Sequence, residues 1–173
     1  MATKTHLSTE EFHRLYDGVK PNYEYWFGEA IQKPMATGLH GALQFVIMML
    51  LRIRGWNVAS EVTLKLVSDA EPVPDIVASR EGIPLLYPTK PVGICIEILS
   101  PKDRLERTVE KGKYYLKWGV PNVWIIDPET RTAWMMTRDH PDGIQVPADG
   151  RLVAEDTEIS LAEIFSEAGK MLV

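Results

Sequence analysis

Residues 92 to 100 read Val-Gly-Ile-Cys-Ile-Glu-Ile-Leu-Ser, an apolar and β-branched run with one acid, Glu97, inside it. A run of that kind is a strand buried on both faces, so helices must cover both sides of its sheet. A helical stretch follows, beginning at Ser100-Pro101-Lys102-Asp103, reaching about Trp118 and ending at Gly119. A second buried strand, Asn122 to Asp127 (NVWIID), comes next. Strand, helix and strand in about 35 residues predict a right-handed βαβ crossover with parallel strands. Everything else must pack around that unit.

The flanking segments supply the rest of an α/β fold. Ser8-Thr9-Glu10-Glu11 opens a short helix with Ser8 or Thr9 as its cap. Asn22 to Gln32 suggests a hairpin around Gly28-Glu29. From Gly38 to Arg54 the apolar period is helical, through Leu39, Leu43, Val46 or Ile47 and Leu50, and Gly55 supplies the stop. Val58 to Val67 alternates as a strand, Glu71-Pro72-Val73-Pro74-Asp75 breaks it, and Ile76 to Ala78 is a very short strand. Turn signals at Pro128-Glu129 and Asp142-Gly143 predict antiparallel hairpins, and Ser160 caps a short closing helix through Phe165. With no linker and no internal repeat, residues 1–173 read as one α/β domain, a mixed central sheet flanked by helices.

Composition removes several function classes. The one cysteine, Cys95, excludes a disulfide-stapled secreted fold. His6, His13, His40 and His140 show no paired metal-ligand spacing, which disfavours structural zinc. A net charge of −5 means that nucleic acid must be met by a local patch, because non-specific coating proteins are basic overall. Residues 1–20 lack the apolar core of a signal peptide, and the longest apolar run, Phe45 to Leu51, is too short to span a bilayer. A cytoplasmic protein is expected.

Glu97 is the oddest residue in the chain. A carboxylate in such company costs several kcal/mol or more unless it is paired, protonated or bound to a metal. At an open strand end it is equally well explained by an ion pair with a lysine. Asp75, after Pro74, is ordinary turn chemistry by itself. The pair says more: the two acids stand 22 residues apart, each near a strand end, where a returning hairpin brings them together. Converging carboxylates suit Mg²⁺, which activates water for phosphodiester cleavage.

The helix after Glu97 sorts its charges by face. Leu105, Val109, Gly112 and Leu116 form the core stripe, while Glu106, Glu110, Lys113 and Lys117 share a solvated face at roughly 80–140° from Leu105. Arg104, Arg107 and Lys111 flank the core stripe with no acid among them. Lys102 to Lys117 holds six basic and three acidic residues, an excess of +3 in an acidic chain. From that flank Lys111 can reach along apolar surface to Glu97 or to a phosphate, and Arg104 and Arg107 can hold neighbouring phosphates.

Tyr23-Glu24, Gly28-Glu29, His40, Pro74-Asp75 and Ile96-Glu97-Ile98-Leu99-Ser100-Pro101 stand in a recognisable order. Asp103-Arg104, Lys111, Tyr115, Gly119-Val120 and Val123 to Pro128 continue it. Over roughly residues 20 to 165 the chain resembles the Uma2 (DUF820) endonucleases of the PD-(D/E)XK nuclease superfamily, most specifically between Glu97 and Pro128. The resemblance implies a restriction-endonuclease-like core and Mg²⁺- or Mn²⁺-dependent hydrolysis of nucleic acid, with DNA the expected polymer. It implies Asp75 and Glu97 as metal-binding acids and Lys111 as the catalytic lysine. Two residues after Glu97, where the superfamily lysine stands, this chain has Leu99. Lys111, or less well Lys113, would have to reach the same space from the helix.

Lesser candidates keep two readings each. His40 is a metal or phosphate contact or an ordinary helix-start residue, and Glu24 is a third acid or, better, a surface glutamate. Tyr115 reads as packing, Trp56, Trp118, Trp124 and Trp134 as core, Ser100 as a helix cap, and Cys95 as an inert buried thiol. Analogy with enzymes that cut both strands of a duplex gives the expectation of a homodimer. The rival function is an inactive nuclease scaffold that binds nucleic acid or a protein partner, a reading that Leu99 favours.

Overall fold

The computed structural model describes residues 6–20, 22–101 and 103–173. Lys102, counted above among the basic residues, lies outside the described residues, as do residues 1–5 of the leader reading. Helix α1 spans Thr9–Tyr16, and Ser8 caps it: its hydroxyl accepts from the Glu11 N–H while the Glu11 carboxylate accepts from the Ser8 N–H. Strands β1 (Tyr23–Trp26) and β2 (Glu29–Gln32) form the expected hairpin. Helix α2 (Gly38–Ile53) begins where the Thr37 hydroxyl accepts from the His40 N–H. Then come β3 (Asn57–Ser60), β4 (Ala70–Glu71), β5 (Ile76–Ser79), β6 (Ile94–Ile98), α3 (Leu105–Lys117) and β7 (Asn122–Asp127). The chain closes with β8 (Thr132–Met136), β9 (Ile144–Val146), β10 (Arg151–Ala154), β11 (Thr157–Ser160) and α4 (Leu161–Lys170).

Among the described residues the central sheet has six strands in the order β3-β5-β6-β7-β8-β9. The β6–β7 pair is parallel, in register from Ile94 opposite Asn122 to Ile98 opposite Ile126, and its other neighbours are antiparallel. The βαβ unit read from the sequence therefore holds the middle of the sheet. A second sheet, β2-β1-β4, pairs the N-terminal hairpin with Ala70 and Glu71, and β10 pairs with β11 alone.

Alternation along β6 sends its residues to opposite layers. Ile94, Ile96 and Ile98 join Trp124, Ile126, Leu43, Ile47 and Leu51 in the core under α2 and α4. Cys95 joins Val77, Val123, Ile125, Tyr115 and Leu116 in the core under α3. Glu97 has the parity of Cys95 and so faces α3. The sheet's period of two thus decides which helix answers the buried acid.

Three boundaries differ from the sequence reading. The strand expected over Val58 to Val67 ends at Ser60, because Glu61 turns into the left-handed region (φ 55°). Beyond it Leu64 is fully buried and Val62 and Leu66 pack beside it, which explains the alternation. Their backbone leaves the sheet all the same: the Leu64 N–H donates to the Pro72 carbonyl and the Lys65 N–H to the Pro88 carbonyl. Helix α3 begins at Leu105 rather than Ser100. The Asp103 carboxylate accepts from the Ser100 N–H at 2.7 Å, closing a turn before the helix, so Ser100 caps nothing. The closing helix α4 continues past Phe165 to Lys170.

Gly93 enters β6 against the Trp56 ring, where an added Cβ would stand 2.6 Å from a ring carbon and 3.3 Å from the Ala78 carbonyl oxygen. The ring cannot withdraw easily, since its N–H donates to Thr157 and the Arg80 guanidinium lies over it. Gly93→Ala is expected to lower stability by about 1–3 kcal/mol through overpacking, read from urea unfolding. An unchanged unfolding midpoint would show that the Trp56 pocket has slack.

Candidate active site

The acid that the α3 layer receives meets both of its partners through one oxygen. Glu97 Oε1 accepts from the Tyr115 hydroxyl at 2.8 Å and lies 2.8 Å from Lys111 Nζ. Lys111 and Tyr115 stand four residues apart on α3, so both reach the same spot from one helix face. The same ammonium donates to Glu24 Oε1 at 2.7 Å. Glu24 is only 5% exposed, and its carboxylate also accepts from the Val73 N–H and the Trp26 indole N–H. The surface reading of Glu24 is therefore corrected: alternation in β1 turns Glu24 and Trp26 inward together, and strand pairing carries them under α3. Tyr115 is likewise more than packing, since its hydroxyl orients Glu97. Lys113 points elsewhere, to Glu110 at 2.7 Å and Asp142 at 2.8 Å.

Asp75 stands immediately before β5, beside the end of β6. Its Oδ2 accepts from the Ile98 N–H at 2.7 Å. The antiparallel β5–β6 ladder stops at Ile76 opposite Ile96, which leaves that N–H for the side chain. Asp75 Oδ1 faces Lys33 Nζ at 3.1 Å and His40 Nε2 at 3.6 Å. Lys33 also donates to Glu61 Oε2 at 2.7 Å and to the Val73 carbonyl at 2.8 Å. Gln44, one turn after His40 on α2, donates to the Asp75 carbonyl at 2.6 Å and to Glu61 Oε1 at 3.3 Å. Nothing local marks Lys33, Gln44 or Glu61: Lys33 and Glu61 lie beside turns, and Gln44 is a single polar residue in the apolar stretch 42–51 of α2. Only the hairpin, the helix and the turn after β3 bring them together.

The two acids titrate apart. Burial pushes the Asp75 carboxyl up, but the neighbouring His40 imidazole, the Lys33 charge and the Ile98 N–H outweigh it and hold the group well below the usual carboxylate range. Burial pushes Glu97 up to about 7, with Lys111 opposing and Asp75 and Glu24 adding to the rise. Burial disfavours the Lys111 charge, yet Glu24 and Glu97 overcome it and raise that ammonium's pKa. Burial lowers Lys33 and His40, but both are raised on balance, Lys33 by the charges of Asp75, Glu97 and Glu61 together and His40 by Asp75 and Glu61.

These groups line a cleft of about 1030 Å³ that includes Glu24, Lys33, His40, Asp75, Glu97 and Lys111. Arg107 also lines it, whereas Arg104 is exposed at the N-cap of α3 and is not among the lining residues. His40, Glu61 and Asp75 offer ligand atoms within 4.8 Å of one another. His40 turns Nε2 towards Asp75, while its buried Nδ1 has no hydrogen-bond partner among the described residues. Carboxylates with an imidazole fit a divalent cation, and the imidazole shifts the preference from Mg²⁺ towards Mn²⁺.

A family model described as "Uma2: Putative restriction endonuclease" matches residues 9–168. Among solved structures, "a putative nuclease belonging to DUF820 from Anabaena variabilis ATCC 29413" superposes with a TM-score of 0.79 at 24% identity, over 94% of this chain and 99% of that one. At that identity the likeness shows the fold. A chain of the DrdV–DNA complex matches at a TM-score of 0.42 and 18% identity, over 75% of this chain and 10% of its own length, and carries no argument. No curated protein sequence matches the chain. No helix among the described residues is long and apolar enough to cross a membrane.

The raised carboxyl of Glu97 sets a pH dependence. The folded protein keeps this proton up to about pH 7, whereas the unfolded chain releases it near 4.5. Its contribution to stability is therefore full below the lower value and lost as pH rises through the upper one. Asp75 acts in the opposite sense, its contribution present above the usual carboxylate range and lost as pH falls through its own lower value. Glu97→Gln keeps an acceptor for Tyr115 and leaves Lys111 paired with Glu24. Its melting temperature is expected to fall less steeply than the wild type's between pH 4.5 and about 7. Parallel curves over that window would show Glu97 ionised throughout.

Proposed function

Because the chain belongs to the Uma2 family, we propose that it is a divalent-metal-dependent endonuclease that hydrolyses phosphodiester bonds of nucleic acid, DNA by preference. The observation that carries this reading is Lys111, which meets Glu97 Oε1 at 2.8 Å from α3 and so stands in for the lysine that Leu99 replaces. A buried acid and a lysine brought together from separate elements at a cleft, beside an Asp held below its usual pKa, suit phosphoryl chemistry better than structure alone.

In this mechanism Asp75, with His40 and Glu61, would hold the cation, and Glu97 stands at the neighbouring edge as the second acid. A divalent cation held there would supply Lewis acidity and lower the pKa of a water. Lys111 neutralises the charge that develops on the phosphate, since its ammonium stays protonated at any working pH. Glu24 and Tyr115 hold Lys111 and Glu97 in place. Arg107 holds a neighbouring phosphate at the rim, and Arg104, exposed on the same helix, reaches one further out.

The test is cleavage of plasmid, single-stranded DNA and RNA in Mn²⁺, Mg²⁺ and EDTA. Metal-dependent cutting is expected. Asp75→Ala and Lys111→Met should be at least about 100-fold slower, and Lys113→Ala should match the wild type. Melting curves run alongside separate lost chemistry from lost folding, because removing Lys111 strands two buried acids. A folded Asp75→Ala protein that cuts at the wild-type rate overturns the assignment.

A further inference from the structure

The β1–β2 turn breaks a local rule. Its two central residues, Phe27 and Gly28, both have positive φ (47° and 87°), the pattern that favours Asn-Gly. A bulky residue in that region is strained by about 1 kcal/mol or more. Phe27 nonetheless stays 37% exposed. The turn is also held in position from behind. The Phe27 N–H donates to the Asp69 carbonyl at 2.8 Å, the Leu7 N–H donates to the Gly28 carbonyl at 2.9 Å, and the His6 ring fills the space where a Gly28 Cβ would go.

The Phe27 ring lines the same cleft as the acids and Lys111. It stands 5.0 Å from the ring of Tyr114, which also lines the cleft and follows Lys111 by three residues on α3. Trp26 and Trp118 stack beneath at 5.6 Å, and Tyr114 lies 5.7 Å and 5.6 Å from them. The four rings pack together, and Trp26, Phe27 and Tyr114 line the cleft that holds the acids and Lys111. Charge alone is a poor way to hold a polyanion here, since the lining carries seven acidic side chains and four lysines or arginines. A π-face attracts a nucleobase whatever the charge balance, and aromatic stacking is how sequence-tolerant proteins hold single strands.

We propose that Phe27 and Tyr114 form a base-stacking platform and that the substrate of this site is single-stranded nucleic acid, whose unstacked bases reach the rings. The inference rests on the nuclease reading of the same cleft and adds the substrate's strandedness. Stacking within a duplex hides the base faces, so a duplex cannot use the platform.

The test measures binding of labelled oligothymidylate, of an abasic strand of equal length and of a matching duplex, in Ca²⁺ and in EDTA, by fluorescence anisotropy. Oligothymidylate is expected to bind at least about tenfold more tightly than the abasic strand or the duplex. Phe27→Asn should lose about that factor for oligothymidylate, with its melting temperature unchanged or raised because Asn tolerates the left-handed turn. Tyr114→Leu provides a second reading free of backbone strain. Equal binding of the three ligands, undetectable binding of oligothymidylate, or variants with wild-type affinity would overturn the platform. Cleavage in Mn²⁺ by the same preparations reports separately: cutting that persists leaves the nuclease reading standing without the platform.

Discussion

One ammonium organises this protein's interior. Lys111 Nζ lies between the carboxylates of Glu24 and Glu97, at 2.7 Å and 2.8 Å, and so ties the N-terminal hairpin, the central sheet and α3 at a single point. Taking such charges out of water costs several kcal/mol per ion, and the arrangement persists only because each partner is further satisfied. Tyr115 donates to Glu97, and Trp26 and the Val73 N–H donate to Glu24. Replacing a buried ion pair by hydrophobic residues of similar volume is often neutral or stabilising, so stability alone does not account for this triad.

The second cluster is built on a different economy. Asp75 takes a backbone N–H that the β5–β6 ladder leaves free at Ile98, so the end of a strand pairing gives the acid a fixed address. Lys33 then brings a positive charge to Asp75, Glu61 and the Val73 carbonyl. Neighbouring environments drive the two central acids apart, Asp75 down and Glu97 up, which is the division that acid–base and metal chemistry exploit.

The legible parts of the sequence were those governed by local periodicity. The β6–α3–β7 unit follows from two apolar runs and an amphipathic helix, and the helical wheel separates Lys111 from Lys113 because angular position on one helix survives folding. Glu97 was conspicuous because burial was certain from its own neighbours. Glu24 was not, since the four-residue strand around it carries aromatics on both faces and says nothing of what will cover it. Tyr115 looked like packing for a related reason: the residue its hydroxyl meets lies on another element. The strand beyond Ser60 was misread because alternation reports which side chains are buried, while hydrogen bonding decides whether the backbone belongs to a sheet.

The sequence by itself determined the α/β class, the parallel central pair, the buried acid and the helix face that answers it. Periodicity and local burial require no knowledge of distant partners. Tertiary structure alone decided that Glu24 joins Lys111, that Lys33, Gln44 and Glu61 gather around Asp75, and that Phe27 faces the cleft beside Tyr114. Those contacts join residues on separate elements, and their geometry comes into being only when sheets and helices pack. No local pattern can encode the distance between two atoms that the chain reaches by different routes.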